Sequence, residues 1–199
     1  HEISRLKFSG EICLDGRRIH VSDTVHPGNV LKVVFPEDRT DAQVTSVYEP
    51  EILYEEEDFV IVNKPTGIPV HAGHGHLEDS LGTVLASYYQ RQDQQFSVRC
   101  IGRLDLQVSG AVLYAKNQPA AARLSMQRTE GVLHKEYIAL VQGIMPSAEG
   151  VLSGAIEKVT GQRAREVSET GKEARTHYAE LHEYGSFSMV RIWLETGRT

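Results

Sequence analysis

Gly102-Arg103-Leu104-Asp105-Leu106-Gln107-Val108-Ser109-Gly110 leads directly into the apolar run Ala111-Val112-Leu113-Tyr114-Ala115. Five consecutive apolar residues after a glycine read as a core strand, and the polar segment before them reads as the loop that feeds it. One carboxylate, Asp105, is thereby set between a cation and a buried strand. Desolvation penalises an ionised carboxylate, so it must find a partner or lose its charge. Arg103, two residues earlier, is one candidate partner, which marks Asp105 as a candidate for chemistry. The same residues also fit a plainer account, in which Asp105 caps a turn and Gly110 lets the chain bend.

Outward from this stretch, Phe59-Val60-Ile61-Val62 predicts a short apolar strand, preceded by the solvated acidic turn Glu55-Glu56-Glu57-Asp58. It is followed by the turn Asn63-Lys64-Pro65-Thr66-Gly67, where proline fixes φ. Leu81, Val84, Leu85 and Tyr88 at helical spacing predict a helix over 80–90 capped by Ser80. Pro119 to Met126 predicts a short Ala-rich helix with proline in its first turn. Lys135 to Val141, Ala174 to Glu183 and Ser186 to Leu194 predict three more strands. Strands outnumber helices, so the expected class is α+β with a largely antiparallel mixed sheet.

Glu11-Ile12-Cys13-Leu14, the turn dipeptide Asp15-Gly16 and Arg17-Arg18-Ile19 predict a hairpin. A further strand, Val30 to Phe35, follows Pro27-Gly28 and ends at Pro36. Residues 36–50, with a weak strand-like Val44-Thr45-Ser46-Val47, read as a connection, placing a domain boundary near residue 42. The expected domains are therefore 1–42 and 43–199.

A chain of 199 residues, 40% hydrophobic and 24% charged, has the composition of a globular protein with a sizeable core. No apolar run approaches the roughly 18 residues of a membrane span and no signal-peptide pattern opens the chain, so a cytoplasmic protein is expected. Cys13 and Cys100 stand in no metal-ligand spacing and make a poor disulfide framework. The chain starts at His1 and stops at Thr199 directly after a β-like run, and both ends are expected to be cut. A net charge of −6 argues mildly against a nucleic-acid partner, although a local basic groove can coexist with an acidic exterior.

Four segments in order carry a resemblance. They are Ile52-Leu53-Tyr54-Glu55 through Asn63-Lys64-Pro65-Thr66-Gly67, Gly102-Arg103-Leu104-Asp105 with Ser109-Gly110, Lys135-Glu136-Tyr137, and Thr196-Gly197-Arg198-Thr199. Over residues 50–199 the chain resembles the pseudouridine synthases of the RluA/RluD type. The N-terminal block is similar to the small RNA-binding domain that these enzymes share with a ribosomal small-subunit protein. The helix that leads that module would precede Ser4, and a generic hairpin cap on the catalytic domain is the competing reading. The RluA type usually has histidine where this chain has Gly102. In that type the last tetrapeptide continues into a segment whose arginine pairs with the catalytic aspartate, beyond Thr199.

The resemblance implies an RNA uridine isomerase that detaches uracil from ribose, rotates it and rejoins it through carbon five, without metal, nucleotide or redox cofactor. It implies Asp105 as catalytic nucleophile or base, Tyr137 stacking on the extracted base, and Arg103 pairing with Asp105 or reaching into RNA. Lys64 is read as shaping a loop and is left off the catalytic list. The implied partner is RNA, ribosomal RNA ahead of transfer RNA, with a monomeric protein and no membrane. Residues 1–199 alone are expected to be inactive, their carboxylate lacking the cation from beyond Thr199. His71, His74 and His76 lie in a glycine-rich run that offers no rigid ligand platform, and no metal is assigned to them. An inactive RNA-binding module that kept the fold, suggested by Gly102, and a glycoside hydrolase using a carboxylate pair are the alternatives. Asp105 has no obvious acid partner for the second of these.

Overall fold

The structure is a computed structural model describing residues 11–20, 22–34, 45–72, 80–94, 97–158 and 165–195. It divides into two compact units, residues 1–126 and 127–199. The boundary expected near residue 42 lies outside the described residues.

In the first unit, β1 (Glu11–Leu14), β2 (Arg17–Arg18) and β3 (Leu31–Val34) form an antiparallel sheet in the order β2-β1-β3. The β1–β2 link is the Asp15-Gly16 dipeptide that the sequence predicts, with both residues at positive φ (49° and 81°). That is the hand of a two-residue hairpin turn, whose twist matches the strands. Asp15 also accepts hydrogen bonds from the Val30 N–H (2.8 Å) and the Asn29 amide (2.7 Å), which ties the turn to the start of β3.

A second sheet carries the core of this unit. It contains β4 (Glu51–Glu55), β5 (Phe59–Lys64), β6 (Arg99–Cys100) and β7 (Gly110–Ala115) in the order β4-β5-β7-β6, all antiparallel. Val60, Val62, Val112 and Tyr114 are buried, and β5 alternates so that its inward row ends at Lys64, which is 0% exposed. Helix α1 (Leu81–Gln90) begins at Ser80, whose hydroxyl accepts from the Thr83 N–H at 3.2 Å, as predicted. Its buried row ends at Tyr89 rather than Tyr88. The Tyr89 hydroxyl donates to Glu55 at 2.6 Å, and that bond gives a phenol its partner inside the core.

The acidic run 55–58 is not simply solvated. Glu55 takes the ammonium of Lys116 as well as Tyr89, and Asp58 takes Arg123 and, at 2.7 Å, the amide of Asn117. Thr45, Ser46 and Val47 form no strand. Ser46 is instead fixed by the Ser87 hydroxyl at 3.0 Å and by Arg91, whose guanidinium bonds the Ser46 carbonyl at 3.0 Å.

Helix α2 (Gln118–Thr129) is longer at its C-terminal end than the sequence suggests. Asn117 caps its start by accepting from the Ala120 N–H at 2.8 Å. It ends in a Schellman motif: Val132 N–H donates to the Gln127 carbonyl (2.9 Å), Gly131 N–H to that of Arg128 (3.3 Å), and Gly131 supplies the required positive φ of 74°.

The second unit is a five-stranded antiparallel sheet of β8 (Glu136–Gln142), β9 (Glu149–Lys158), β10 (Arg165–Val167), β11 (Lys172–Glu183) and β12 (Phe187–Leu194), in the order β10-β9-β11-β12-β8. Strands β8, β11 and β12 match the prediction. Strands β9 and β10 do not appear in it: Gly150 and Gly154 break the alternation that announces β9, and β10 has only three residues, two of them charged. Gly150 is required there: a Cβ would lie 2.8 Å from the hydroxyl of Tyr178 across the ladder.

Candidate active site

The register of two strands builds the site. Lys64, the last residue of β5, pairs with Gly110, the first of β7. The loop leaving β5 and the loop entering β7 therefore meet at one end of the sheet. The first is Pro65-Thr66-Gly67-Ile68, and the second runs from Gly102 to Ser109.

Lys64 joins them. Its ammonium donates to the carbonyls of Pro65 (2.9 Å), Ile68 (2.8 Å) and Leu106 (3.1 Å). Burial lowers its pKa below the ordinary lysine range, and the negative charge of Asp105 partly restores it. Two further bonds cross between the loops: Gly67 N–H donates to the Leu106 carbonyl at 2.8 Å, and the Thr66 hydroxyl to the Gln107 carbonyl at 3.1 Å. Gly67 stands at φ 82°, a conformation that glycine adopts without the Cβ penalty.

The second loop is anchored from beneath by Ile101 and Leu104, which are 5% and 9% exposed. Gly102, between these two in the chain, adopts φ 82°, so glycine at this position has a backbone reason. Asp105 opens a turn closed by the Val108 N–H on its carbonyl at 3.1 Å.

The carboxylate itself points outward. The Asp105 side chain is 78% exposed and that of Arg103 63%, with 4.0 Å between Nη2 and Oδ1. The desolvated carboxylate expected from the sequence is therefore not seen. The loop backbone is anchored while the acid stays at the surface, and a pair at this distance in solvent contributes about 0–1 kcal/mol. The structure brings Arg103 and Asp105 together, and adds Lys64 as a buried cation that feels the Asp105 charge. Sequence reasoning gave Lys64 a loop-shaping part, which the three carbonyl bonds support. It missed the electrostatic link, because 41 residues separate the two side chains along the chain.

Tyr137 belongs to the second unit, half-buried on β8 and paired with Ile192 of β12. Among the described residues no group of three or more His, Cys, Asp and Glu is arranged to hold a metal ion. His74, His76 and the tetrapeptide 196–199 lie outside the described residues. Both cysteines are half-buried, and Cys100 Sγ lies 2.9 Å from the Gly102 carbonyl. No described helix is long and apolar enough to cross a membrane.

Comparisons with known proteins point in one direction. The family model described as RNA pseudouridylate synthase matches residues 58–199. The chain is 35% identical over 196 residues to a ribosomal large subunit pseudouridine synthase D of Xylella fastidiosa, covering 96% of this chain and 58% of the relative. It is 30% identical over 208 residues to a ribosomal large subunit pseudouridine synthase C of Haemophilus influenzae, covering 99% of this chain and 63% of the relative. The chain thus spans less than two thirds of the length of either. Among solved structures, the human RNA pseudouridylate synthase domain containing 1 superposes with a TM-score of 0.63 at 23% identity, over 79% of this chain and 64% of that one. That likeness is one of fold.

Proposed function

Because the chain belongs to the RNA pseudouridylate synthase family, we propose that it isomerises uridine to pseudouridine in structured RNA, with ribosomal RNA as the substrate and Asp105 as the reacting carboxylate. The observation that carries this reading is the anchored loop of Asp105. An acid on a loop whose Leu106 and Gln107 carbonyls are held by a buried ammonium, a backbone N–H and a hydroxyl, and which is itself open to solvent, can meet a nucleotide swung out of its helix. The carboxylate has three routes: addition to the sugar carbon, addition to the uracil ring, or removal of a proton from the sugar.

Arg103 beside it serves as a cation for phosphate or for the acid. Tyr137 is the stacking residue. Aromatic stacking contributes about 1–3 kcal/mol per base, enough to offset much of what flipping costs. The ribosomal substrate is supported by the names of the bacterial relatives. The domains proposed are an RNA-binding block at 1–42 and a catalytic block at 43–199. In the first, Cys13 pairs with Arg18 on one side and Lys32 on the other, so these two exposed cations share a face of the small sheet on which RNA phosphates would lie. The proposed setting is the cytoplasm.

Release of tritium from carbon five of uridine in RNA by the intact natural protein tests the reaction. Asp105→Asn should abolish it while leaving RNA binding in place. Tyr137→Leu should lower turnover more than RNA affinity. Full tritium release by Asp105→Asn would remove the carboxylate from the reaction. RNA binding with no release by the unaltered protein would favour a binding module.

A further inference from the structure

We propose that Thr66 and Gln107 form a latch that positions the turn carrying Asp105, an assignment that rests on Asp105 being the reacting group. The turn spans Asp105 to Val108. At Leu106 it is held by one carbonyl, which receives both the Lys64 ammonium and the Gly67 N–H. Two donors on one oxygen fix a single point, about which a short turn can still pivot.

The second point is one residue further on. The Thr66 hydroxyl lies 3.1 Å from the Gln107 carbonyl and 3.3 Å from its side-chain Oε1. A hydroxyl has one hydrogen, so Thr66 shares it between these acceptors and holds both the backbone and the side chain of Gln107. With Leu106 and Gln107 both pinned, the direction in which Asp105 leaves the backbone is set. That matters because the Asp105 side chain is 78% exposed and has little packing of its own to orient it.

Thr66 and Gln107 are themselves exposed, so the latch adds little to folding and can be removed without emptying the core. Reaction geometry is far more sensitive than stability. A displacement of 1 Å can lower a rate by about a hundredfold, and loosening one of two anchors should cost about tenfold. Thr66 is a positioning residue in this account and touches no substrate.

The test uses the intact natural protein acting on RNA, with Thr66→Val, Thr66→Ser and Asp105→Asn compared for kcat, KM and melting temperature. Thr66→Val, which keeps shape and loses the hydroxyl, should lower kcat about tenfold with KM and melting temperature unchanged. Thr66→Ser, which restores the hydroxyl, should return kcat to near the unaltered value. The latch is overturned by an unchanged kcat in Thr66→Val, by a loss that serine does not rescue, or by a rise in KM alone, which would make Thr66 a substrate contact. Full activity in Asp105→Asn defeats the reading of Asp105. An inactive Asp105→Asn beside a fully active Thr66→Val defeats the latch alone.

Discussion

Replacing Lys64 with methionine keeps an unbranched apolar stem and removes the ammonium that ties three carbonyls together. Each hydrogen bond from a charged donor contributes about 1.5–3 kcal/mol, so three of them amount to roughly 6 kcal/mol. Against this, the variant no longer takes a cation out of water, a cost of several kcal/mol. The Pro65 carbonyl, on an exposed residue, also recovers some hydration. The net loss should be about 3 kcal/mol. For a chain of this size that lowers the melting temperature by roughly 6–12 °C. Urea unfolding should show a lower midpoint with an unchanged slope, since the surface exposed on unfolding is the same. Turnover should fall as well, because the Leu106 carbonyl would retain only the Gly67 N–H and the Asp105 turn would lose its buried anchor. A Lys64→Met protein that unfolds at the same urea concentration as the unaltered one would refute the reasoning, for the ammonium would then not be what joins the two loops.

Glu55 predicts an acid limb of stability. Burial pushes its carboxyl up, but the hydrogen bonds from Lys116 and Tyr89 and the charge of Lys116 outweigh this and hold it below the ordinary 4.5. A carboxyl lowered by folding stabilises above its unfolded value and loses that contribution as pH falls through the folded one. Urea midpoints should therefore drop below pH 4.5, and Glu55→Gln, itself costing about 2 kcal/mol near neutral pH, should make that drop shallower. Gly171→Ala should destabilise the second unit by about 2–3 kcal/mol, because the added Cβ would lie 2.6 Å from the Ile156 carbonyl carbon. Thermal unfolding of the variant would check it. Ser80→Ala removes the cap of α1 and should cost about 1 kcal/mol in the same measurement.

Features that depend on neighbouring residues were legible. The Asp15-Gly16 turn, the Ser80 cap, the turn at 63–67 and the strand Ala111 to Ala115 each follow from local backbone preference or a local run of apolar side chains. Strand β9 was hidden by Gly150 and Gly154, whose small size answers to partners across the ladder such as Tyr178. The tyrosine of the buried row is Tyr89 rather than the expected Tyr88, and its hydroxyl meets a carboxylate from β4, Glu55, a long-range partner that helical spacing does not reveal. The exposure of Asp105 was misjudged for a related reason. An apolar run after an acid says that the strand is buried, and says nothing about which side of the preceding loop faces solvent.

By itself the sequence determined the Asp15-Gly16 turn, the Ser80 cap, the strand-rich α+β class and the segment on which the chemistry is placed, since these rest on local residue types and apolar patterning. Only the tertiary structure decided how that segment is held. The pairing of Lys64 with Gly110 brings two loops to one edge, where a buried ammonium and a threonine hydroxyl find carbonyls some forty residues away in the chain. Such bonds depend on strand register, which local preference does not specify.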